Sequence, residues 1–141
     1  MTEMSKNQII ETFNKHIMEF VRDIERVFPT DKDIMESRKS LNRTIMIMPK
    51  AVIRAFNEHI CMVYGKEIEE GNLDFFIDND YNSKHGHIIN NNNWIINKIN
   101  ELRQPVRNML DDDKAKVIQY LKNLKKLTDM YNILRKNKNN I

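Results

Sequence analysis

The feature that most constrains the fold is a long run of a single helical period near the end of the chain, at residues 111–135. Apolar residues recur there at spacings of three and four, with one gap of seven, which places them in one broad stripe on an α-helix. The stripe consists of Val117, Leu121, Leu124, Tyr131 and Leu134, flanked by Ile118, Leu127 and Met130. Asp111, Asp112 and Asp113 favour a helix start, because acidic side chains stabilise the positive end of the helix dipole. The rest of the chain is therefore expected to pack against this helix.

Four further segments with helical apolar periods precede that run. With only three Gly and three Pro in 141 residues, the chain lacks the turns of a β-sandwich or barrel. The sequence therefore predicts an all-α fold, a compact bundle of about five helices plus one short helix. The predicted ranges are 5–28, 31–45, 50–70, 92–110 and 111–135, with the short helix at 73–77.

Several residues should shape the ends and bends of these helices. Thr30 is the expected N-cap of the second helix. The third helix is expected to bury Val63 and to bend at Gly65. Pro105, which lacks a backbone N–H, is expected to kink the fourth helix or to split it at Gln104.

The length is that of one domain, predicted as residues 1–135 followed by a polar, frayed tail at 136–141. The single cysteine, Cys61, cannot form an internal disulfide, so a reduced intracellular setting is expected. The sequence shows no signal peptide and no apolar run of membrane-spanning length, so we expect no membrane partner.

The small net charge of +3 is unevenly distributed. Residues 58–80 hold seven acids against Lys66, whereas residues 114–141 hold eight bases against Asp129. The simpler interpretation is two solvated faces that attract each other or neighbouring copies. Alternatively, the basic face of the last helix contacts an acidic partner or nucleic acid. The candidate contacts are Lys114, Lys122, Lys125, Lys126, Arg135 and Lys136.

His85 and His87 form the only closely spaced histidine pair. Two ligands supply at most half of a zinc site, and the others would have to converge in space from Asp78, Asp80, His16 or His59. Asp74, Asp78 and Asp80 do not make a calcium loop, because the central Gly and the final Glu of an EF-hand are absent. A solvated loop is the favoured interpretation, and a small metal-dependent enzyme is the third choice of function.

No arrangement typical of an enzyme stands out in the sequence. His59 and Cys61 are two residues apart and so face different sides of a helix, which excludes them as a nucleophile–base pair. No Walker loop, dinucleotide loop, GxSxG or HExxH motif is present. We predict no catalytic, cofactor-binding or metal-binding residue, no cofactor and no small-molecule ligand.

Three stretches of the chain carry a resemblance to known proteins. The first is Phe13-x6-Phe20-x2-Asp23-Ile24-x2-Val27-Phe28-Pro29-x-Asp31-x-Asp33-Ile34, and the others are Ile60-x3-Tyr64-x3-Ile68 with Asp74-Phe75-Phe76, and Ile118-x-Tyr120-Leu121-x2-Leu124. This order resembles that of small helical proteins encoded by nucleocytoplasmic large DNA viruses. The resemblance implies an all-helical viral protein, located in the host cytoplasm or the virion, and it transfers no catalytic residue.

The function predicted from the sequence is that of a non-enzymatic interaction or assembly protein. Leu73, Phe75 and Phe76 are the predicted partner surface, and a protein partner or self-association is expected. The alternative is a nucleic-acid-binding accessory factor that uses the lysine-rich last helix.

Overall fold

The computed structural model describes residues 4–74 and 94–139, and 86% of them are helical, with no β-strand among them. The described chain forms five helices, which confirms the all-α prediction. They are α1 (Lys6–Val27), α2 (Lys32–Ile47), α3 (Ala51–Phe56, Asn57–Cys61 and Met62–Glu70 in continuous succession), α4 (Trp94–Arg107) and α5 (Asp111–Asn139). Most of the predicted short helix at 73–77 lies outside the described residues. The helix α5 extends four residues beyond its predicted end, so 136–139 are helical and not a frayed tail.

The core is built on the antiparallel packing of α1 against α5. The apolar stripe of α5 is buried as predicted, with Leu124 fully enclosed and Val117, Leu121 and Tyr131 nearly so. The gap of seven in that stripe is filled by Thr128, which is 0% exposed. Its hydroxyl donates a hydrogen bond to the Leu124 carbonyl at 2.8 Å, and this bond removes the cost of burying the polar group.

The starts of α1 and α2 are fixed by side-chain caps. Ser5 and Gln8 form a reciprocal capping box at the start of α1. At α2 the cap is Asp31, whose carboxylate accepts hydrogen bonds from the amides of Asp33 and Ile34. The prediction that Thr30 caps α2 is therefore wrong by one residue. Both a carboxylate and a threonine hydroxyl can accept hydrogen bonds from these amides. Only the carboxylate also carries a negative charge, which interacts favourably with the positive end of the helix dipole.

The helix α3 is irregular near its middle. Its buried residues Phe56, Ile60, Tyr64 and Ile68 are each four apart, a longer spacing than one α-helical turn. The π-turn at Asn57–Cys61 contains more residues per turn and keeps this series on one face. Val63 consequently points outwards and is 50% exposed, contrary to the prediction.

The predicted bend at Gly65 lies one residue earlier, at Tyr64, whose φ of −122° and ψ of 18° are not helical. A Cβ at position 65 would lie 3.1 Å from Cε of Lys125, so a larger residue there would require the lysine side chain to shift by a few tenths of an ångström. The Lys125 stem therefore crosses α3 directly over the backbone of Gly65.

The end of α3 is a Schellman turn. Gly71 adopts the left-handed conformation, with φ 74° and ψ 22°. Its amide and that of Asn72 bond to the carbonyls of Ile68 and Glu67 at 3.0 and 2.9 Å. The turn directs Leu73 into the core, where it is 8% exposed, so this side chain is not part of a partner surface as predicted. Phe75 and Phe76 lie outside the described residues.

Pro105 does not split α4 at Gln104. It lies in the last turn, and the helix continues to Arg107. Leu102, Val106 and Met109 are all buried on either side of Pro105, so core packing holds this turn although proline removes one backbone donor. The hydroxyl of Ser37 on α2 donates to Glu101 Oε2 at 2.6 Å and joins α2 to α4.

We predict that Gly71→Ala lowers the free energy of unfolding by about 1 kcal/mol, because alanine is strained in the left-handed region. The Cβ itself meets only ordinary contacts, the nearest at 3.6 Å, so backbone strain should dominate. Gly71→Asn is the matched control and should cost less, since asparagine tolerates this conformation. Urea unfolding measures both changes; equal stability of the alanine variant and the wild type would contradict this account.

Candidate functional site

The structure assigns Lys125 a structural role in place of the predicted solvent-facing one. Its side chain is only 13% exposed, and Nζ lies 2.7 Å from both Glu69 Oε1 and Asp129 Oδ2. Burial alone would lower the pKa of Lys125, but the hydrogen bonds to Asp129 and Glu69 outweigh it and raise the pKa to about 12. The prediction that Lys125 is an available phosphate contact is therefore wrong, because both of its acidic partners come from its own chain.

The other predicted basic contacts do not converge. Lys122 and Lys126 are exposed on α5, and the Lys122 ammonium lies 3.6 Å from the position a Cβ on Gly71 would take, beside the negative end of α3. Lys114 is half-buried, Lys136 is exposed, and the Arg135 guanidinium stands 5.9 Å from the centre of the Tyr131 ring. Lys114 and Lys136 are separated by roughly 33 Å along the helix axis.

Cys61 lies at the end of the π-turn, half-buried against α5. Burial raises the pKa of its thiol, and the charge of Asp129 raises it further. Lys125 and a hydrogen bond with Thr128 oppose this only partly, and the pKa reaches about 12. The thiol is thus protonated at neutral pH, which is the reverse of an activated nucleophile.

No group of three or more His, Cys, Asp or Glu able to hold a metal ion occurs among residues 4–74 and 94–139. His85, His87, Asp78 and Asp80, which the sequence offered as ligands, lie outside these ranges. The metal hypothesis for them therefore stays a prediction.

A polar and aromatic cluster joins α1 to α5 around Tyr120. The Tyr120 ring stacks on Phe20, with ring centres 5.2 Å apart, and lies 4.8 Å from the ring of His16. Its hydroxyl donates a hydrogen bond to Asp23, which also pairs with Arg26 at 2.7 Å. Burial, followed by the interaction with Asp23, raises the pKa of Tyr120 to about 12. Asp23 is thus engaged by two partners of its own chain, and the cluster fastens α1 to α5.

A further surface lies where α2 ends and α3 begins, between the predicted helix ranges 31–45 and 50–70. Three consecutive apolar side chains are exposed there: Met46 and Ile47 by 76% each and Met48 by 53%. The exposed cations Lys39 and Arg43 precede them in the chain, and the exposed cations Lys50 and Arg54 follow them. We call these seven residues the α2–α3 corner.

The charged residues of the chain on both sides of the exposed apolar run are all basic. No acidic residue occurs between Glu36 and Glu58 in the chain. The fifth cation of this stretch, Arg38, is bound to Glu25 at 2.7 Å and is therefore occupied. This acid-free run is visible in the sequence and was the signal that could have marked the site.

The α2–α3 corner is held in place by hydrogen bonds. The Met48 amide bonds to the Thr44 carbonyl at 2.7 Å, and the Ala51 amide bonds to the Met48 carbonyl at 3.0 Å. The buried Asn14 of α1 donates from Nδ2 to the Pro49 carbonyl at 2.8 Å. Hydrogen bonds therefore fix the backbone that carries the exposed apolar side chains.

Comparison with protein-family models, curated proteins and solved structures gave no match. Within the described ranges, no helix has the length and apolar character needed to cross a membrane.

We predict that Tyr120 controls part of the alkaline stability. Because its folded-state pKa of about 12 lies above the ordinary 10.0, its stabilising effect is complete below about pH 10 and is lost as the pH rises through about 12. Tyr120→Phe keeps the stacked ring and should flatten this part of the pH dependence relative to wild type. Lys125 titrates in the same region but is present in both proteins, so the difference reports Tyr120. Parallel pH profiles of unfolding would contradict the prediction.

We predict that Cys61 resists thiol reagents in the native protein. With the pKa near 12, its thiolate fraction at neutral pH is small, so alkylation should be roughly a hundredfold or more slower than at an exposed cysteine. The matched control is Cys61→Ser combined with Met62→Cys, because Met62 is 74% exposed. Equal rates of iodoacetamide labelling at the two positions would show that the thiol is not protected.

Proposed function

We propose that the protein is a non-enzymatic interaction or assembly protein that binds a protein partner through the α2–α3 corner. The observation that carries this proposal is the exposed apolar run of Met46, Ile47 and Met48, which has exposed cations on both sides in the chain. Apolar side chains that are exposed together, with a polar rim, are typical of interaction sites on soluble domains.

The composition of the α2–α3 corner matches the anatomy of a protein interface. Interfaces place apolar anchors at the centre and charged groups at the rim, where charges contribute to specificity and association rate. Methionine is suited to the centre, because its flexible and polarisable side chain adapts to the surface it meets. The partner surface should therefore carry apolar side chains flanked by carboxylates.

A viral origin, and with it a place in the infected cell or the virion, is part of the same proposal. Its support is the resemblance of the three sequence stretches given above. The proposed interaction through the α2–α3 corner does not depend on it.

Nucleic-acid binding by α5 remains the alternative, and the geometry supports it less. Lys122 and Lys126 are exposed, but Lys125 between them is paired with Glu69 and Asp129. At the α2–α3 corner, an exposed apolar run separates the cations along the chain, whereas a phosphate backbone is best met by a continuous cationic surface.

Site-specific photo-cross-linking tests the proposed function. A photoreactive residue at Ile47 should capture a protein partner, because this side chain lies at the centre of the α2–α3 corner. The double variant Arg43→Glu and Lys50→Glu should abolish that capture by reversing the rim charges. The matched control places the same group at Met62, which is equally exposed but lies outside the α2–α3 corner. Capture of nucleic acid alone, or of the same proteins from both positions, would count against the proposal.

A further inference from the structure

The exposed apolar run of the α2–α3 corner contains two oxidisable sulfur atoms. Met46 is 76% exposed and Met48 is 53% exposed. A thioether reacts with a peroxide without first losing a proton, so its access to solvent largely decides how fast it is oxidised. Oxidation to the sulfoxide converts a flexible apolar side chain into a polar one. At these two positions, oxidation therefore removes the apolar character of the surface.

The described methionines outside the α2–α3 corner are less accessible, with the exception of Met62. Met18 and Met109 are each only 7% exposed, within the core. The thiol of Cys61 is half-buried and protonated at neutral pH, whereas the thiolate is the form that peroxides attack. Met62 is 74% exposed on α3. Peroxide should therefore reach the α2–α3 corner and Met62 and spare the core.

The sulfur of Met46 has a defined neighbour on its own helix. Nδ2 of Asn42, one turn earlier in α2, donates a hydrogen bond to Sδ of Met46 at 3.8 Å. A thioether sulfur is a weak acceptor, whereas the oxygen of a sulfoxide is polar and accepts strongly. The same amide is therefore placed to stabilise the oxidised side chain more than the reduced one.

Oxidation at the α2–α3 corner does not touch the groups that hold α2 in the fold. The residues that α2 buries are Ile34, Ser37 and Leu41, all earlier in the helix. The end of the helix is held by the bond from the Met48 amide to the Thr44 carbonyl, and this bond does not involve a sulfur atom. Oxidation therefore changes the surface that the molecule presents and leaves its core intact.

We infer that Met46 and Met48 form an oxidation site through which a peroxide switches off binding at the α2–α3 corner. The effect on binding rests on the proposed function, whereas the oxidation itself does not. The oxidant is hydrogen peroxide or an organic hydroperoxide.

The chemical step is a two-electron oxidation of each sulfur. A sulfur lone pair forms a bond to one peroxide oxygen as the O–O bond breaks. The proton of the transferred oxygen passes to the leaving oxygen, which departs as water or as an alcohol. Two thiols can reverse the change, because they reduce the sulfoxide to the thioether, form a disulfide and release water. Methionine sulfoxide reductases catalyse this reversal, and each acts on one sulfoxide epimer.

The loss of binding follows from the composition of the apolar run. After oxidation, only Ile47 of its three side chains remains apolar. A partner that covers the run must then remove water from two polar sulfoxides, which costs free energy unless each finds a donor. The flanking cations are unchanged, but charges at a rim contribute more to specificity and association rate than to affinity. Oxidation should therefore weaken binding by roughly tenfold or more, because apolar anchors carry most of the binding energy.

Peptide mapping by mass spectrometry tests the oxidation site in the purified full-length chain. After brief exposure to hydrogen peroxide, sulfoxide should form at Met46 and Met48 roughly tenfold or more faster than at Met18 and Met109. Met62 is the internal reference for an exposed methionine. Circular dichroism should show unchanged helix content at this stage. Oxidation of Met46 and Met48 no faster than that of Met109 would overturn the inference.

The configuration of the sulfoxide tests the contact with Asn42. The two lone pairs of a thioether give opposite epimers, and the Asn42 amide occupies one side of the Met46 sulfur. One epimer should therefore be in excess at Met46, and the excess should fall in Asn42→Ala. Treatment with each stereospecific reductase in turn measures the ratio. Equal amounts in the wild type, or an excess that Asn42→Ala leaves unchanged, would show that Asn42 does not direct the reaction.

Photo-cross-linking at Ile47 tests the switch. The protein with the photoreactive residue and Met62→Leu has its exposed described methionines only at the α2–α3 corner. It is treated with peroxide, freed of it and compared with the untreated protein. Capture of the partner should fall roughly tenfold or more and return after treatment with both reductases. In Met46→Leu with Met48→Leu, both sulfurs are absent, so peroxide should not change the capture.

The outcomes separate the inference from the proposed function. Capture that survives full oxidation of Met46 and Met48 would overturn the inference and leave the proposed function standing. Capture that falls but does not return with the reductases would also overturn it, because the loss would then come from other damage. If the untreated protein captures no partner at Ile47, the proposed function and the switch both fail, and peptide mapping alone decides whether the oxidation site exists.

Discussion

The antiparallel contact between α1 and α5 is the interaction on which the rest of the structure depends. Isolated helices are marginal in water, so these two long elements need each other to bury Phe13, Ile9, Ile24 and Leu124. The Tyr120 cluster fixes their relative position at one end. The helix α5 also packs against α3. Lys125 takes part in this contact, because its side chain crosses Gly65 and pairs with Glu69. The basic face of α5, which the sequence suggested as a binding surface, therefore serves in part to join α5 to α3.

Helical periodicity predicted most of the core, because the spacing of apolar residues marks the face of each helix that is buried. It located α5 and its buried stripe, and it placed the end of α3 at residue 70, where the structure has it. It failed for polar side chains. Thr128 is buried with its hydroxyl bonded to the Leu124 carbonyl of the same helix, and Lys125 is held by acids from α3 and α5. The apolar period records neither kind of contact.

The candidate site was missed for a related reason. Residues 45–48 are apolar, and an apolar run at a helix end suggests either burial or fraying. Their exposure is set by the core, which covers the α2 face formed by Ile34 and Leu41 but not its final turn. The charge pattern was available in the sequence, since no acid occurs between Glu36 and Glu58. This basic run holds five cations, fewer than the eight of residues 114–141.

The helix α3 separates two groups of charged residues. Lys50 and Arg54 lie at its start, and Glu67, Glu69 and Glu70 lie in its last turn. Lys125 pairs with Glu69 and Asp129 and leaves Asp74 exposed beyond the last turn. The π-turn and the bend at Tyr64 keep Phe56, Ile60, Tyr64 and Ile68 on one buried face. The irregularity of α3 is therefore what its packing against the core requires.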